Sequence, residues 1–215
     1  FKEDEASPLY PPLSLTTLAT PLTKGGHKVQ ILDLCKEPLP EQLSADLIGI
    51  TGLSFSFKSI LSLVQEIHRK TDVPIVLGGP CMTSDPSLFD KFSVDYGVIG
   101  EGEETLCELV DYLEKGQDPM SIKGLVFLGK DKKIHFSLRK FIDSSNIGNP
   151  LWDLINPRNY ESVGLGVETS RGCPFQCCFC SAPLISGNLW RPRQPNAILD
   201  EIRDDVYHHQ AKKIY

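Results

Sequence analysis

Between Leu13 and Arg139, short apolar runs alternate with segments whose apolar residues return every three or four positions, and that alternation leaves few folds open. The runs are too short for helices and rich in Val, Ile and Leu, as strands of a covered parallel sheet are. Strands are expected at 29–32, 47–51, 75–77 and 96–99. Between them Ile60, Val64 and Ile67 share one helical face, and Leu106, Leu109, Val110 and Leu113 share another, as crossover helices require.

A first helix, "LSLTTLATPLTKGG", holds Pro21 in its interior and ends at Gly25-Gly26, which predicts a kink and a glycine cap. A doubly wound sheet opens with a strand before its first helix, so that strand is expected ahead of Phe1. "GLVFLGKDKKIHF" reads as a hairpin turning at 129–132. The polar stretch that follows reads as a linker, with Trp152 and Leu154 docking it. "VGLGVETS" then reads as a strand, and "PNAILDEIRDDVYHH" as an amphipathic helix with Asn196 at its N-cap. The expected division is an α/β domain over 1–143, a linker over 144–162 and the opening of a second domain over 163–215.

With 215 residues, 40% of them hydrophobic, the chain can bury a core, and its net charge of −6 without a Lys/Arg stripe argues against nucleic acid as a partner. No apolar run approaches a membrane span, and "FKEDEASPLYPP" lacks the regions of a signal peptide, which makes the reducing cytoplasm the expected location.

"TSRGCPFQCCFCSAP" places four of the seven cysteines within 173–180. Disulfides fit poorly, since neighbours on so short a loop rarely reach bridge geometry. Cys173, Cys177 and Cys180 form C-x3-C-x2-C, with Cys178 left over; Cys35, Cys81 and Cys107 are scattered and read as small buried hydrophobes. Structural zinc favours two separated ligand pairs, and no second pair follows; His208 and His209 are adjacent on a helix and point apart. A ferredoxin would add a fourth cysteine before a proline. Three thiolates on a cubane cluster leave one iron open to a small molecule.

These residues resemble the radical S-adenosylmethionine (SAM) superfamily, whose C-x3-C-x2-C lies on the loop after the first strand of a TIM-like barrel; the match includes "RGCP" and the aromatic Phe179 before the last cysteine. The resemblance implies a [4Fe-4S] cluster on Cys173, Cys177 and Cys180, SAM chelated to the open iron beside Phe179, and cleavage of SAM to a 5′-deoxyadenosyl radical. Zinc, or an unrelated cluster in a non-catalytic module, is the competing reading.

"YPPLSL", "GGHKVQILDL", "ADLIGIT", "VPIVLGGP" and "VDYGVIGEGEETL" resemble, over almost the whole front unit, the cobalamin-binding domain that precedes the barrel in one radical SAM subclass. The implied cobalamin contacts are Tyr10, Pro11, Thr51, Gly52, Leu53, Ser54, Gly78, Gly79, Pro80, Gly100, Glu101 and Gly102, in turns at the carboxyl edge of the sheet, where open α/β sheets bind ligands. "GEGEET" lacks the third glycine of a dinucleotide turn, and Glu101, Glu103 and Glu104 place negative charge where a pyrophosphate would sit. No D-x-H-x-x-G occurs; His27 precedes a strand and His68 lies in a crossover helix, so cobalt is expected to lack a histidine ligand.

The expected fold is thus a doubly wound, Rossmann-like α/β domain of cobalamin-binding type, followed by the start of a TIM-like (β/α) barrel. The expected activity is cobalamin-dependent methylation of an unactivated carbon in a small molecule or peptide, with a flavodoxin or ferredoxin as electron donor. Cyclisation, oxidation or rearrangement is the alternative outcome. Arg191 and Arg193, after the cysteine loop, are expected to be solvated.

Overall fold

The computed structural model describes residues 10–116, 118–160 and 164–215. The N-terminal "FKEDEASPL", the last two residues of the expected linker and Val163, where the expected second-domain strand begins, lie outside the described residues. In chain order the helices and strands are α1 (Leu13–Lys24), β1 (Ile48–Thr51), α2 (Phe57–Lys70), β2 (Ile75–Gly78), α3 (Pro80–Ser84), α4 (Phe89–Phe92), β3 (Tyr96–Val98), α5 (Glu103–Lys115), β4 (Leu125–Leu128), β5 (Ile134–Phe136), β6 (Ser170–Arg171), α6 (Ala182–Ser186), β7 (Arg191–Pro192) and α7 (Pro195–Tyr207). They fall into two compact units: Pro40–Phe141 with Gly172–Leu189, and Phe1–Leu39 with Ile142–Arg171 and Trp190–Tyr215.

The first unit holds a five-stranded sheet in the order β1-β2-β3-β4-β5. β1, β2 and β3 run parallel; β4 joins β3 antiparallel, and β5 closes the sheet as the second arm of a hairpin. Ile75, Val76 and Leu77 are all buried, as a strand covered on both faces must be. α2 buries Ile60, Val64 and Ile67, the stripe read from the sequence. One core cluster joins Val76, Val98, Leu109, Ile122, Leu125 and Phe127 across β2, β3, α5 and β4. On α5, Leu109 is buried whereas Leu113, in the last turn, is exposed, and Glu103 and Thr105 are the other buried residues. The hairpin turns where expected, with Lys132 at positive φ and its N–H donating to the Gly129 carbonyl at 2.9 Å.

Three of the four expected strands form. The fourth, 29–32, buries Ile31 but joins no ladder: a β-favouring run becomes a strand only when a partner pairs its backbone, and none does so among the described residues. The reversal of strand order that defines a doubly wound sheet is likewise not present among them. The architecture shown is a mixed α/β fold with a mostly parallel sheet in its first three strands.

In the second unit α1 continues past Pro21 and ends in a Schellman motif: the Gly26 N–H donates to the Thr23 carbonyl at 3.0 Å and the His27 N–H to that of Leu22 at 3.1 Å. The left-handed residue is Gly26, with φ +90°, while Gly25 stays right-handed. Trp152 is 1% exposed, as expected of a docking residue. Leu165 and Ile214 form a parallel bridge with α7 between them in the chain. α7 starts two residues earlier than an Asn196 N-cap would set it: Gln194 is the N-cap and Pro195 takes the first position. Among the described residues no helix is long and apolar enough to cross a membrane.

Candidate functional site

Three turns leave the carboxyl ends of β1, β2 and β3, and two hydrogen bonds tie them together. The Cys81 N–H, at the start of α3, donates to the Gly52 carbonyl at 3.0 Å, and the Gly100 N–H donates to Thr83 Oγ1 at 3.0 Å. α3 is therefore a clamp between the turns. Gly79 enters it at φ +80°, where a Cβ would collide with Thr51 Oγ1 and lie 3.4 Å from the Gly52 backbone. Gly100 has φ +78°, yet a Cβ there would meet nothing within 4 Å. Gly79 thus lets two turns close on each other, and Gly100 leaves backbone open toward the edge. Thr51, Leu53 and Ser54 are exposed; Gly78, Pro80, Glu101 and Gly102 are half-buried beside them. This edge is rimmed by backbone, two hydroxyls and an apolar side chain, with Glu103 and Glu104 in the first turn of α5 disfavouring a phosphate. Such a rim suits a large neutral ligand better than a phosphate-rich one. Tyr10 and Pro11 fall in the other unit.

The cysteine loop belongs to the same unit as these turns. Its ends are held together: the Cys173 N–H donates to the Gly187 carbonyl at 3.0 Å, and Gly172, at φ +82°, packs so closely on the Leu189 carbonyl that no Cβ would fit. The Cys180 N–H donates to the Cys177 carbonyl at 3.0 Å, closing the turn between the second and third ligands of the motif. Cys173 is half-buried, and Cys177, Cys178 and Cys180 are exposed, as is Phe179 at 88%. Among the described residues no three His, Cys, Asp or Glu side chains converge as a metal site. The donor set nonetheless fits a cluster: free thiols on a loop pinned at its base, with an aromatic ring between the last two. Cys81 and Cys107 make poor competing ligands, because burial, ahead of nearby carboxylates, pushes both thiols up and keeps them protonated. Cys35 is exposed, unlike the buried hydrophobe expected, because the Asp33 side chain holds it in a surface turn through its N–H at 2.9 Å.

After the third cysteine α6 packs on α3, so the clamp of the turns also carries the cysteine loop. On the loop's other side Gly187 lies against the Phe141 ring, 2.6 Å from where its Cβ would stand. Sequence reasoning missed both contacts; the "SG" after "APLI" was the only signal of a tight approach.

It also misread the two arginines. Arg193 is 5% exposed and pairs with Glu201 at 2.6 Å, while donating to the Glu168 carbonyl at 2.8 Å and Asn149 Oδ1 at 3.0 Å; Arg191 donates to the Ile142 carbonyl. The reason is α7, whose buried face carries Glu201 and Asp205 instead of apolar side chains. Desolvation raises the Glu201 carboxyl against the pull of Arg193. Burial first, then Glu201 and Asp204, push Asp205 up to about 7, with the Trp152 indole pulling the other way. The same unit has a cavity of about 490 Å³ lined by Thr20, Lys24, Leu151 and Arg193 among others, and none of the expected cofactor contacts borders it.

A family model described as the B12 binding domain matches residues 4–110, the span that supplies all three turns. An uncharacterized methyltransferase of Pyrococcus horikoshii is 32% identical over 95% of this chain and 48% of its own length. The chain carries a B12-binding domain. An anaerobic magnesium-protoporphyrin IX monomethyl ester cyclase of Cereibacter sphaeroides is 35% identical over 93% of the chain and 36% of its own length. The chain thus spans less than half the length of these relatives. In fold it is similar to the radical SAM methyltransferase TsrM from Kitasatospora setae, solved with tryptophan and a SAM analogue, at a TM-score of 0.77 and 24% identity over 96% of the chain and 44% of that protein.

Proposed function

We propose that this chain carries the two cofactor sites of a cobalamin-dependent radical SAM enzyme, and that the enzyme is a methyltransferase acting on an unactivated carbon of a small molecule or peptide in the reducing cytoplasm. The observation that carries the reading is α3: it ties the three turns at the sheet edge and packs on α6, which follows the cysteine motif. The assignment divides the chain into a cobalamin-binding domain over 1–143, a linker over 144–162 and the start of a (β/α) barrel over 163–215. The parallel bridge Leu165–Ile214 around α7 supports the barrel as its first β-α-β step.

When bound, a [4Fe-4S] cluster with SAM supplies hydrogen-abstracting radical chemistry and cobalamin supplies a transferable methyl group. Cys173, Cys177 and Cys180 would hold the cluster as thiolates, and Phe179 would flank SAM. Gly78, Gly79 and Pro80 would bring backbone against the corrin, with Gly100, Glu101 and Gly102 along its rim. Thr51, Gly52 and Ser54 would offer small polar contacts, and Leu53 would exclude water. A low-potential flavodoxin or ferredoxin would deliver the reducing electron. Cyclisation is the second reading, favoured by the identity to the Cereibacter cyclase.

The test is anaerobic reconstitution of the full-length enzyme. Alanine at Cys173, Cys177 or Cys180 is expected to abolish iron binding, and Cys178→Ala to keep it. Cobalamin should bind without nitrogen splitting in the cob(II)alamin electron paramagnetic resonance spectrum. Methylated product beside 5′-deoxyadenosine supports methyl transfer; a ring-closed product without added carbon selects the second reading, and equal iron loss on Cys178→Ala refutes the ligand set.

A further inference from the structure

β5 runs in the direction of β3, because each is antiparallel to β4, and its carboxyl end therefore reaches the edge where the three turns leave the sheet. Two hydrogen bonds fix the level there: the Ile99 N–H donates to the Gly124 carbonyl at 2.9 Å, and the Gly124 N–H to the Ser137 carbonyl at 2.9 Å. Two residues further on, Arg139 is clamped to the start of α5. Its Nε donates to Thr105 Oγ1 at 3.0 Å and to the Lys123 carbonyl at 3.1 Å, and its two Nη groups pair with Glu104 and Glu108, one turn apart on α5. Gly124 makes room for this clamp: at φ +80° its Cβ would strike Thr105 Oγ1 and stand 3.4 Å from the Cβ of Arg139.

Two residues after the clamp, Phe141 meets the cysteine loop. Its ring lies in the space that a side chain at 187 would fill, 2.6 Å from where the Gly187 Cβ would stand, and the Gly187 carbonyl accepts the Cys173 N–H at 3.0 Å. Cys177 and Cys180 do not need this contact, since the turn between them closes on its own through the Cys180 N–H. Cys173 is separated from that turn by Pro174, Phe175 and Gln176, so its place relative to the other two thiols is set at Gly187.

We propose that Phe141, anchored by Arg139, is a positioning residue for the iron–sulfur cluster: its ring fixes the Gly187 carbonyl, which fixes the Cys173 amide and so the first of the three thiols. The proposal rests on the reading of the cysteine loop as a cluster site. Phe141 acts through Gly187 and makes no bond to the cluster. Three thiolates capture a cluster best when the ordering of the first is completed as the loop folds, not when the iron binds, which is the general advantage of a preorganised site. The brace starts on α5, and so is separate from the contact of α6 with α3.

The test compares Phe141→Ala, Phe141→Val, Phe141→Leu and Phe136→Ala in the full-length enzyme. Phe141 is 40% exposed, so its truncation empties no core, and the fold, checked by circular dichroism, should hold. After anaerobic reconstitution, iron release to an excess of a ferrous chelator is expected to be at least about tenfold faster in Phe141→Ala, the low end of what losing the support of a metal ligand costs. Before reconstitution, hydrogen exchange of the Cys173 amide should quicken in the same variant. Phe141→Leu refills the contact with apolar bulk and should restore both rates. Phe141→Val should fall between, which keeps the series informative if the alanine variant misfolds. Phe136→Ala, at a residue 60% exposed on β5, should change neither rate. Unchanged iron release in the alanine and valine variants overturns the proposal, however the amide exchanges. Equal loss in Phe136→Ala overturns it too, since the effect would then be one of general stability. Absence of iron from the reconstituted unaltered enzyme refutes the cluster reading instead, and exchange at Cys173 still decides whether Phe141 holds the loop.

Discussion

At Gly79 two demands meet in one residue: a backbone at φ +80°, and a neighbour, Thr51 Oγ1, standing where any Cβ would go. Gly100 meets only the first, since its missing side chain would point into open space. The two positions therefore separate a steric role from a conformational one. Gly100→Ala is expected to fold, at a cost of about 1–2 kcal/mol for a left-handed alanine, read as a lower urea midpoint at unchanged m. Its methyl group projects at the sheet edge and should weaken cobalamin binding. Gly79→Leu must part the first two turns and is expected to abolish cobalamin binding, while iron content should fall less, since the three proposed ligands are untouched and only the brace of their loop through α3 is weakened. Normal cobalamin titration by Gly79→Leu would show the turn to be structural only.

α7 shows what an element can hide from a sequence reading. Its pattern looked amphipathic in the ordinary sense, but Leu199 is 49% and Val206 42% exposed, whereas Glu201 and Asp205 are each 2% exposed. The strands of the sheet and α2 were legible because contiguous apolar runs and an i, i+4, i+7 stripe have one economical burial. Glu201 and Asp205 were not, because their burial depends on Arg193, eight residues from Glu201 and beyond the turn that starts the helix. The strand expected at 29–32 failed for a related reason, since pairing is decided by the partner and not by the run itself. Spacing alone set Cys178 apart from its neighbours; its exposure does not. Two measurements check α7. Arg193→Met leaves Glu201 buried without its partner and is expected to cost about 3–5 kcal/mol, much of it recovered by Arg193→Met/Glu201→Leu. Asp205, ordinarily near 3.8 and raised to about 7, holds its proton in the folded chain after the unfolded chain has lost it. Stability should therefore fall as pH rises from about 4 to about 7, by up to about 1.4 kcal/mol per pH unit, and this contribution should be flat above that window. Asp205→Asn is expected to remove that slope in urea titrations at several pH values; an unchanged slope would place the titration elsewhere.

On the scale of the whole molecule, the chain does not fold in the order in which its domains read. The loop Gly172–Leu189 leaves its sequence neighbours and joins the sheet unit, through α6 on α3 and Gly187 on Phe141. A radical enzyme with two cofactors gains from this arrangement, because the segment proposed to hold one of them is braced by the helix that shapes the site of the other. The physical consequence is reciprocal coupling: whatever stabilises α3 by filling the edge of the sheet also stabilises the packing of α6, and the converse must hold by linkage. Hydroxocobalamin is therefore expected to slow amide exchange in 78–84 and also in 172–189, by about fivefold or more if the coupling reaches the usual lower bound of about 1 kcal/mol. The measurement is hydrogen exchange by mass spectrometry on the full-length enzyme before cluster reconstitution, with α2 as an internal reference for global stability. Because the loop then carries no iron, added protection within it has to come through α3 and α6. Slower exchange confined to 78–84 would mean that the two helices touch without sharing stability, and that each cofactor site forms on its own.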